Sequence, residues 1–339
     1  MLRPASVLYG WLWRSRWQRA APPEPHAIPV IIVGNVIVGG AGKTPITRAL
    51  AQWFAQQGWT PAIVSKGYGR TTRKGSAPFE VTPQSSPVSS GDEPLLLAQT
   101  QDSPVWVGDD RNACIQALLA AHPETSVVIC DDGLQDLSLH RDLELVVFDE
   151  RGAGNGWLLP AGPLREPWPR PNGRAQASAC WVLLSDNGAG TLDPFTIDAP
   201  GPMWQLHRHL ASALRRLDGI TTTPLTQWSY ASVQVVTAIA KPHTFIDMLQ
   251  AQGIQVAHAV IRPDHDGLEG VEYALKPELP VIVTAKDAVK LTRLSPDWQS
   301  RFWVADLELR LPDTLAHALS QWAHDTRSEL SSDHGQKTA

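Results

Sequence analysis

Residues 36–45 read Val36-Ile37-Val38-Gly39-Gly40-Ala41-Gly42-Lys43-Thr44-Pro45, and the fold turns on this stretch. It ends as a phosphate-binding loop ends. The pattern G-x-x-x-x-G-K-[ST] also asks for a glycine five residues before Gly42, where this chain has Ile37. The flanks supply the context such a loop requires. Ile28–Val33 is a continuous apolar run and reads as a buried parallel strand. On the other side, Ile46, Leu50, Trp53 and Phe54 keep one helix face apolar, Gly58 closes the helix, and Pro45 falls in its first turn. Between strand and helix, Gly39, Gly40, Ala41 and Gly42 let backbone N–H groups turn inward around a phosphate, while the helix N-terminus adds positive potential. In such a loop Lys43 reaches the β/γ-phosphates of a nucleotide and the Thr44 hydroxyl holds Mg²⁺.

Further along the chain, short apolar runs at Ala62–Val64, Val105–Val107, Val127–Cys130, Leu145–Phe148 and Trp181–Leu184 alternate with helical stretches such as Asn112–Ala121. This alternation predicts an α/β fold with a mostly parallel sheet covered on both faces. Residues 185–202, rich in Gly, Asp and Pro, read as a linker. The following MWQLHRHLASALRRLDG is ambiguous between strand and helix. A second α/β unit starts at Val233, with strands expected at Val233–Ile239, Val256–Ile261, Val281–Thr284 and Phe302–Val304. A last helix begins at Thr314, and the terminal SSDHGQKTA reads as disordered.

Loops at the carboxyl ends of parallel strands converge on a ligand, so their polar residues are the site candidates. Val127–Asp132 is an apolar strand ending in Asp131 and Asp132, the arrangement that sets a carboxylate beside Mg²⁺; a solvated strand end is the alternative. Asp92 and Glu93 in Gly91-Asp92-Glu93-Pro94 either cap the helix that follows or supply an acceptor for a substrate proton. Ser65–Arg70, Gly108–Arg111 and Gly162–Pro167 are further polar loops after strands or in stiff segments. His265, between Asp264 and Asp266 after a strand, reads first as part of a surface loop and second as a site residue.

Bulk properties narrow the classes. The chain has 339 residues, enough for two packed α/β units, and a net charge of −5 supplies no basic field for nucleic acid. Cys114, Cys130 and Cys180 lack metal or redox spacing and read as reduced buried thiols. The N-terminal run Ala5–Trp13 is too short to span a bilayer, which takes roughly 20 residues. Four arginines (Arg3, Arg14, Arg16, Arg19), no acid before Glu24, and Leu8, Trp11, Leu12, Trp13 and Trp17 suit a helix lying on an anionic leaflet. A helix packed on the protein's own surface is the other reading.

Taken in order, GNVIVGGAGKTP (34–45), SKGYGR (65–70), GDEP (91–94), DDGLQD (131–136), GNGWLLPAGPLREP (154–167), PDHD (263–266) and TAKDAVK (284–290) resemble the tetraacyldisaccharide 4′-kinases, the lipid A kinases, from the N-terminal helix to about residue 305. The resemblance implies transfer of the ATP γ-phosphate to the 4′-hydroxyl of tetraacyldisaccharide 1-phosphate, giving lipid IVA, at the cytoplasmic face of the bacterial inner membrane. It implies ATP and Mg²⁺ as cofactors, an N-terminal helix touching the membrane, and a phosphate-loop domain joined by a β ribbon to a smaller α/β domain. The corresponding divisions are 1–25, 26–200, 201–232, 233–325 and a tail from 326. Residue by residue, Lys43 and Thr44 match the loop lysine and the Mg²⁺ threonine, Asp92 the general base, and His265 its partner. Asp131, Asp132 and Gln135 match the acid cluster, and Arg111 and Glu166 match polar positions lining the site, with Glu166 joining Thr44, Asp131 and Asp132 as metal candidates. No nucleic acid partner and a monomeric state are expected. The chain departs from the family at Asp136 and Asp266, each in place of a histidine, and at Ala285 in place of a glutamate.

One rival class shares G-G-x-G-K-T: the membrane-associated switch ATPases of cell-division positioning and partition. Those carry a lysine that acts across a dimer at the position where this chain has Val38, which argues against the switch.

Overall fold

A computed structural model describes residues 2–71, 75–171, 177–186, 197–291 and 294–337. The helices are α1 (Arg3–Arg19), α2 (Lys43–Gln56), α3 (Pro87–Ser90), α4 (Asp92–Thr100), α5 (Arg111–Ala121), α6 (Pro242–Ala251), α7 (Ala285–Ala288), α8 (Pro296–Gln299) and α9 (Asp313–Lys337). The strands are β1 (Val30–Gly34), β2 (Pro61–Ser65), β3 (Phe79–Val81), β4 (Val105–Val107), β5 (Val127–Asp131), β6 (Leu143–Phe148), β7 (Ala179–Asp186), β8 (Met203–Leu210), β9 (Ala213–Arg216), β10 (Thr222–Pro224), β11 (Ser232–Thr237), β12 (Gln255–Ile261), β13 (Val281–Thr284), β14 (Phe302–Ala305) and β15 (Leu307–Leu309).

Among the described residues these strands make two sheets. The larger has the order β15-β8-β7-β6-β1-β5-β2-β4-β3, parallel from β8 to β4 and antiparallel at its two edges. Strand β1 lies at its centre, between β5 and β6. Val30, Ile31, Ile32 and Val33 are all fully buried because helices cover both faces. Each such side chain contributes about 1.5–3 kcal/mol relative to exposure. The central position also places the loop after β1 where the strand order diverges, which is where doubly wound sheets bind ligands. The smaller sheet runs β10-β9-β14-β13-β11-β12, with β14, β13, β11 and β12 parallel.

The ambiguous stretch after residue 202 is a pair of strands that joins the sheets: β8 extends the large one parallel to β7, and β9 pairs antiparallel with β14 in the small one. Residues 187–196 of the expected linker lie outside the described residues.

Two boundaries differ from expectation. The end of the smaller unit, set at 325, does not stay with that unit. Strand β15 closes the edge of the large sheet against β8, and Leu315, Leu319 and Ala323 of α9 join the core that holds Ile31 and Phe54. Residues spaced by four make one apolar stripe, with Trp322 beside it on the same helix, and Trp53 and Trp59 pack at this core to receive it. The tail expected to be disordered from 326 instead continues α9 to Lys337, with Ala323 and Thr326 buried at its start.

Helix α1 packs on the protein's own surface along one side. Ser6, Gly10 and Trp17 are buried, and Trp17 donates Nε1–H to the Pro171 carbonyl at 3.0 Å. Val7, Leu8, Trp11 and Leu12 are exposed on the opposite side. No helix among the described residues is long and apolar enough to cross a membrane.

Candidate active site

The loop after β1 turns through Gly39 (φ 93°) and Gly42 (φ 76°). Gly42 is the residue before α2, so the left-handed conformation aims the first helical N–H groups back into the loop. A Cβ there would also sit 2.6 Å from Arg208 Nη1 on β8, so that arginine would have to shift. Lys43 opens α2, and its Nζ donates to Asn35 Oδ1 at 3.1 Å and lies 3.6 Å from Asp132 Oδ1. Asn35 is fully buried and also donates to the Ile37 and Gly39 carbonyls at 2.8 and 3.3 Å. The bridge Ile37↔Leu164 and the Val38 N–H bond to the Pro163 carbonyl fasten the entrance of the loop to the 154–167 segment. That explains how an isoleucine replaces the first glycine: Ile37 is wholly buried, serving as an anchor rather than as part of the cradle.

Strand β5 ends beside this loop, as expected. The two acids differ in environment. Asp131 is 1% exposed, accepts from Thr47 Oγ1 at 3.0 Å through Oδ1, and leaves Oδ2 buried without a partner. Burial, with Glu93 adding to it, pushes its carboxyl up to about 7. Asp132 takes φ 49° and turns toward the cavity. Burial opposes its charge, but Lys43 and Arg165 outweigh that and hold its carboxyl below the usual range. Arg165 Nη2 is 3.1 Å from Asp132 Oδ1 and also donates to Asn35.

The remaining sequence candidates form a supporting layer. Arg111 donates through Nη2 to the Asp131 and Asp132 carbonyls at 3.3 and 2.8 Å and pairs through Nη1 with Asp136 at 3.3 Å. Gln135 Nε2 donates to the Asn35 carbonyl and to Glu166 Oε1, at 3.0 and 3.2 Å. Glu166 is fully buried, and burial lifts its carboxyl to about 7. Thr44, Lys43 and Asp132 line the cavity, but Arg111, Gln135, Asp131 and Glu166 do not.

That cavity, of about 520 Å³, lies between the two sheets. Gly40, Lys43 and Asp132 line it from the large unit, with Lys241, His265 and Lys286 opposite them from the small one. Leu97, Phe245 and Met248 add apolar wall. Asp92 is the first residue of α4, after Gly91 at φ 87°, where a Cβ would meet the Tyr68 carbonyl oxygen at 3.0 Å. His265 Nδ1 approaches Asp92 Oδ2 at 3.6 Å, its Nε2 lies 3.7 Å from Asp264, and the Tyr68 ring leans on its imidazole at 5.2 Å. The structure therefore brings Asp92 and His265 together from different units, 173 residues apart in number but side by side across the cleft.

Asp136 and Asp266 are occupied locally. Ser138 and Arg111 hold the Asp136 carboxyl below its ordinary range against the cost of burial, and Asp266 Oδ1 accepts the Leu268 N–H at 2.8 Å. Neither lines the cavity, whereas Ala285 does. The pattern of residue types did not single out Asn35, Arg165, Arg208 or Lys290 individually. Asn35, Arg165 and Lys290 lie inside the quoted family stretches, and the asparagine immediately before the loop was the available signal.

A central strand feeding a glycine loop, with an acid pair on the neighbouring strand beside the loop lysine, defines a P-loop α/β fold of the nucleotide-dependent kinase type. The family model of the tetraacyldisaccharide-1-P 4′-kinases matches residues 1–324, and the chain belongs to that family. It is similar to the tetraacyldisaccharide 4′-kinase of Delftia acidovorans, at 45% identity over 87% of this chain and 80% of that one. It is also similar to that of Acidovorax ebreus, at 42% identity over 94% and 88%. Among solved structures, a crystal structure of LpxK from Aquifex aeolicus, an "apo" form in complex with ATP, aligns with TM-score 0.74 and 24% identity over 95% of this chain and 99% of that one, which supports the shared fold.

Proposed function

We propose that this protein transfers the γ-phosphate of ATP to the 4′-hydroxyl of tetraacyldisaccharide 1-phosphate, giving lipid IVA, at the cytoplasmic face of the inner membrane. The observation that carries the proposal is the opposition, across one cavity, of the Lys43 loop and the Asp92–His265 pair. Phosphoryl transfer needs little more than a cation at the transferring group, an acceptor for the hydroxyl proton and alignment of the two.

In this reading the Gly39–Gly42 backbone holds the nucleotide phosphates, and Lys43 neutralises charge on the transferring oxygens. Asn35 and Asp132 hold the Lys43 ammonium in place before substrate arrives. Asp92, steadied by His265, takes the 4′-hydroxyl proton. The donors here fit Mg²⁺: the Thr44 hydroxyl and Asp132 carboxylate are hard oxygens at the cavity wall, and the orphaned Asp131 Oδ2 stands behind them. Bound there, Mg²⁺ supplies charge stabilisation to the phosphoryl oxygens. Glu166, buried behind Gln135, supports the loop from the second layer rather than holding the ion. The exposed Val7, Leu8, Trp11 and Leu12 on α1 bring the cavity to a substrate whose acyl chains stay in the bilayer.

A second assignment of the proton rests on one observation. His265 lines the cavity and Asp92 does not, so His265 is also placed to accept the proton with Asp92 orienting its Nδ1. Asp92→Ala decides the matter of importance: a general base is worth roughly 10²–10⁴-fold. Turnover should fall by that factor with ATP affinity retained, and a loss below threefold would remove Asp92 from the chemistry.

A further inference from the structure

The Asp92 carboxylate has a second nitrogen neighbour besides His265. Lys290 Nζ lies 3.6 Å from Asp92 Oδ2, the same oxygen that His265 approaches. This lysine is almost entirely inside the protein, with its side chain 4% exposed. It sits just past α7 in the smaller unit and is held from behind. Asp287 Oδ1 pairs with it at 3.3 Å, and the Ala238 carbonyl accepts from it at 3.4 Å. Asp287 is itself locked, fully buried, accepting from Thr284 Oγ1 at 2.8 Å and from the Ala238 N–H at 3.1 Å.

The Ala238 peptide, just past β11, is therefore a common anchor. Its N–H holds Asp287, and its carbonyl accepts from both Lys290 Nζ and the His265 backbone N–H, the latter at 3.3 Å. The two groups that reach Asp92 thus hang from one peptide of the smaller unit, while Asp92 belongs to α4 of the larger. A mostly buried carboxylate is stabilised by a counter-charge, and a proton acceptor needs a fixed direction. A primary ammonium pinned by two oxygens supplies both.

We propose that Lys290 is a positioning residue for the proton acceptor: pinned by Asp287 and the Ala238 carbonyl, it fixes Asp92 against His265, so the acceptor is complete only with the two units in contact. This rests on the proposed role of Asp92. Lys290 is not among the residues lining the cavity, so it acts through Asp92 and touches no substrate.

The test is a cycle of variants in the full chain, reading lipid-acceptor turnover, ATP affinity and melting temperature. Lys290→Gln keeps a donor for Asp287 and the Ala238 carbonyl but removes the charge. Its turnover should fall at least tenfold, with ATP affinity within about twofold of the parent. In an Asp92→Asn background the same change should cost less than twofold, because the group it positions is already gone. A fall below threefold in the parent, or an equal fall in both backgrounds, would overturn the proposal while leaving Asp92 its role. Full activity in Asp92→Asn would overturn both. Where Lys290→Gln does not fold, Lys290→Arg answers the question. Charge kept at the site should keep turnover within about fivefold, and a drop beyond tenfold with ATP affinity intact would refute positioning by charge.

Discussion

Glu166 is fully buried beside the site, and exchanging it for glutamine separates its charge from its shape. Oε1 accepts from Gln135, and Oε2 has no partner. Burial raises the carboxyl from its ordinary 4.5 to about 7, with Glu144 adding to the rise and Arg170 opposing it. The folded chain thus binds this proton more tightly than the unfolded chain does. Its contribution to stability is fully present below pH 4.5 and is lost as pH rises through 7. At about 1.4 kcal/mol per unit, a rise of roughly 2.5 units amounts to ~3 kcal/mol. Glu166→Gln cannot ionise, so the variant should match the parent near pH 4.5 and exceed it by about that amount at pH 8.5. For a chain of this length that is on the order of 4 °C in melting temperature. Thermal melts of both proteins at several pH values, compared as differences, cancel every other titrating group. A difference constant within about 1 °C between pH 5 and pH 8.5 would refute the assignment of a strained, buried acid to this position.

Asn35→Ala removes the group that holds Lys43 and Arg165; hydrogen bonds to charged partners are worth ~1.5–3 kcal/mol, so kcat/KM for ATP should fall at least tenfold in steady-state kinetics. Gly42→Ala forces a side chain into a left-handed residue and against Arg208, a conformation costing ~1–2 kcal/mol, and should weaken nucleotide binding measured by titration calorimetry. Paired serine replacements at Leu8 and Trp11, both exposed, should reduce co-sedimentation with anionic vesicles while leaving the melting temperature unchanged.

The parallel core was legible because its signals are local. The runs at 28–33 and 127–130 are short, apolar and followed by glycine or acid, and the structure pairs them as β1 and β5. The loop lysine and Thr44 were legible for the same reason. What escaped depends on chain segments far apart. Strand β15 finds its partner β8 about a hundred residues earlier, so nothing local marks it as part of the large sheet. Met203–Leu210 buries only Leu206 and Leu210 and has no regular two-residue alternation, which left helix and strand equally open until its pairing with β7 was seen. Arg165 and Lys290 lie in the quoted family stretches, but no local pattern marks what either side chain touches. Their meaning comes only from the 3.1 Å approach to Asp132 and the 3.6 Å approach to Asp92. Asp136 and Asp266 illustrate the reverse: as sequence they stood out as added negative charge near phosphate, yet Arg111 and the Leu268 N–H absorb them.

ADP release from Mg-ATP, measured with purified protein in the presence and absence of tetraacyldisaccharide 1-phosphate, separates a lipid kinase from a switch ATPase and from an inactive nucleotide binder. Release should depend on the acceptor, with one phosphate appearing on the 4′-hydroxyl for each ADP formed. Equal release without the lipid, or none in its presence where another member of the family is active, would contradict the kinase.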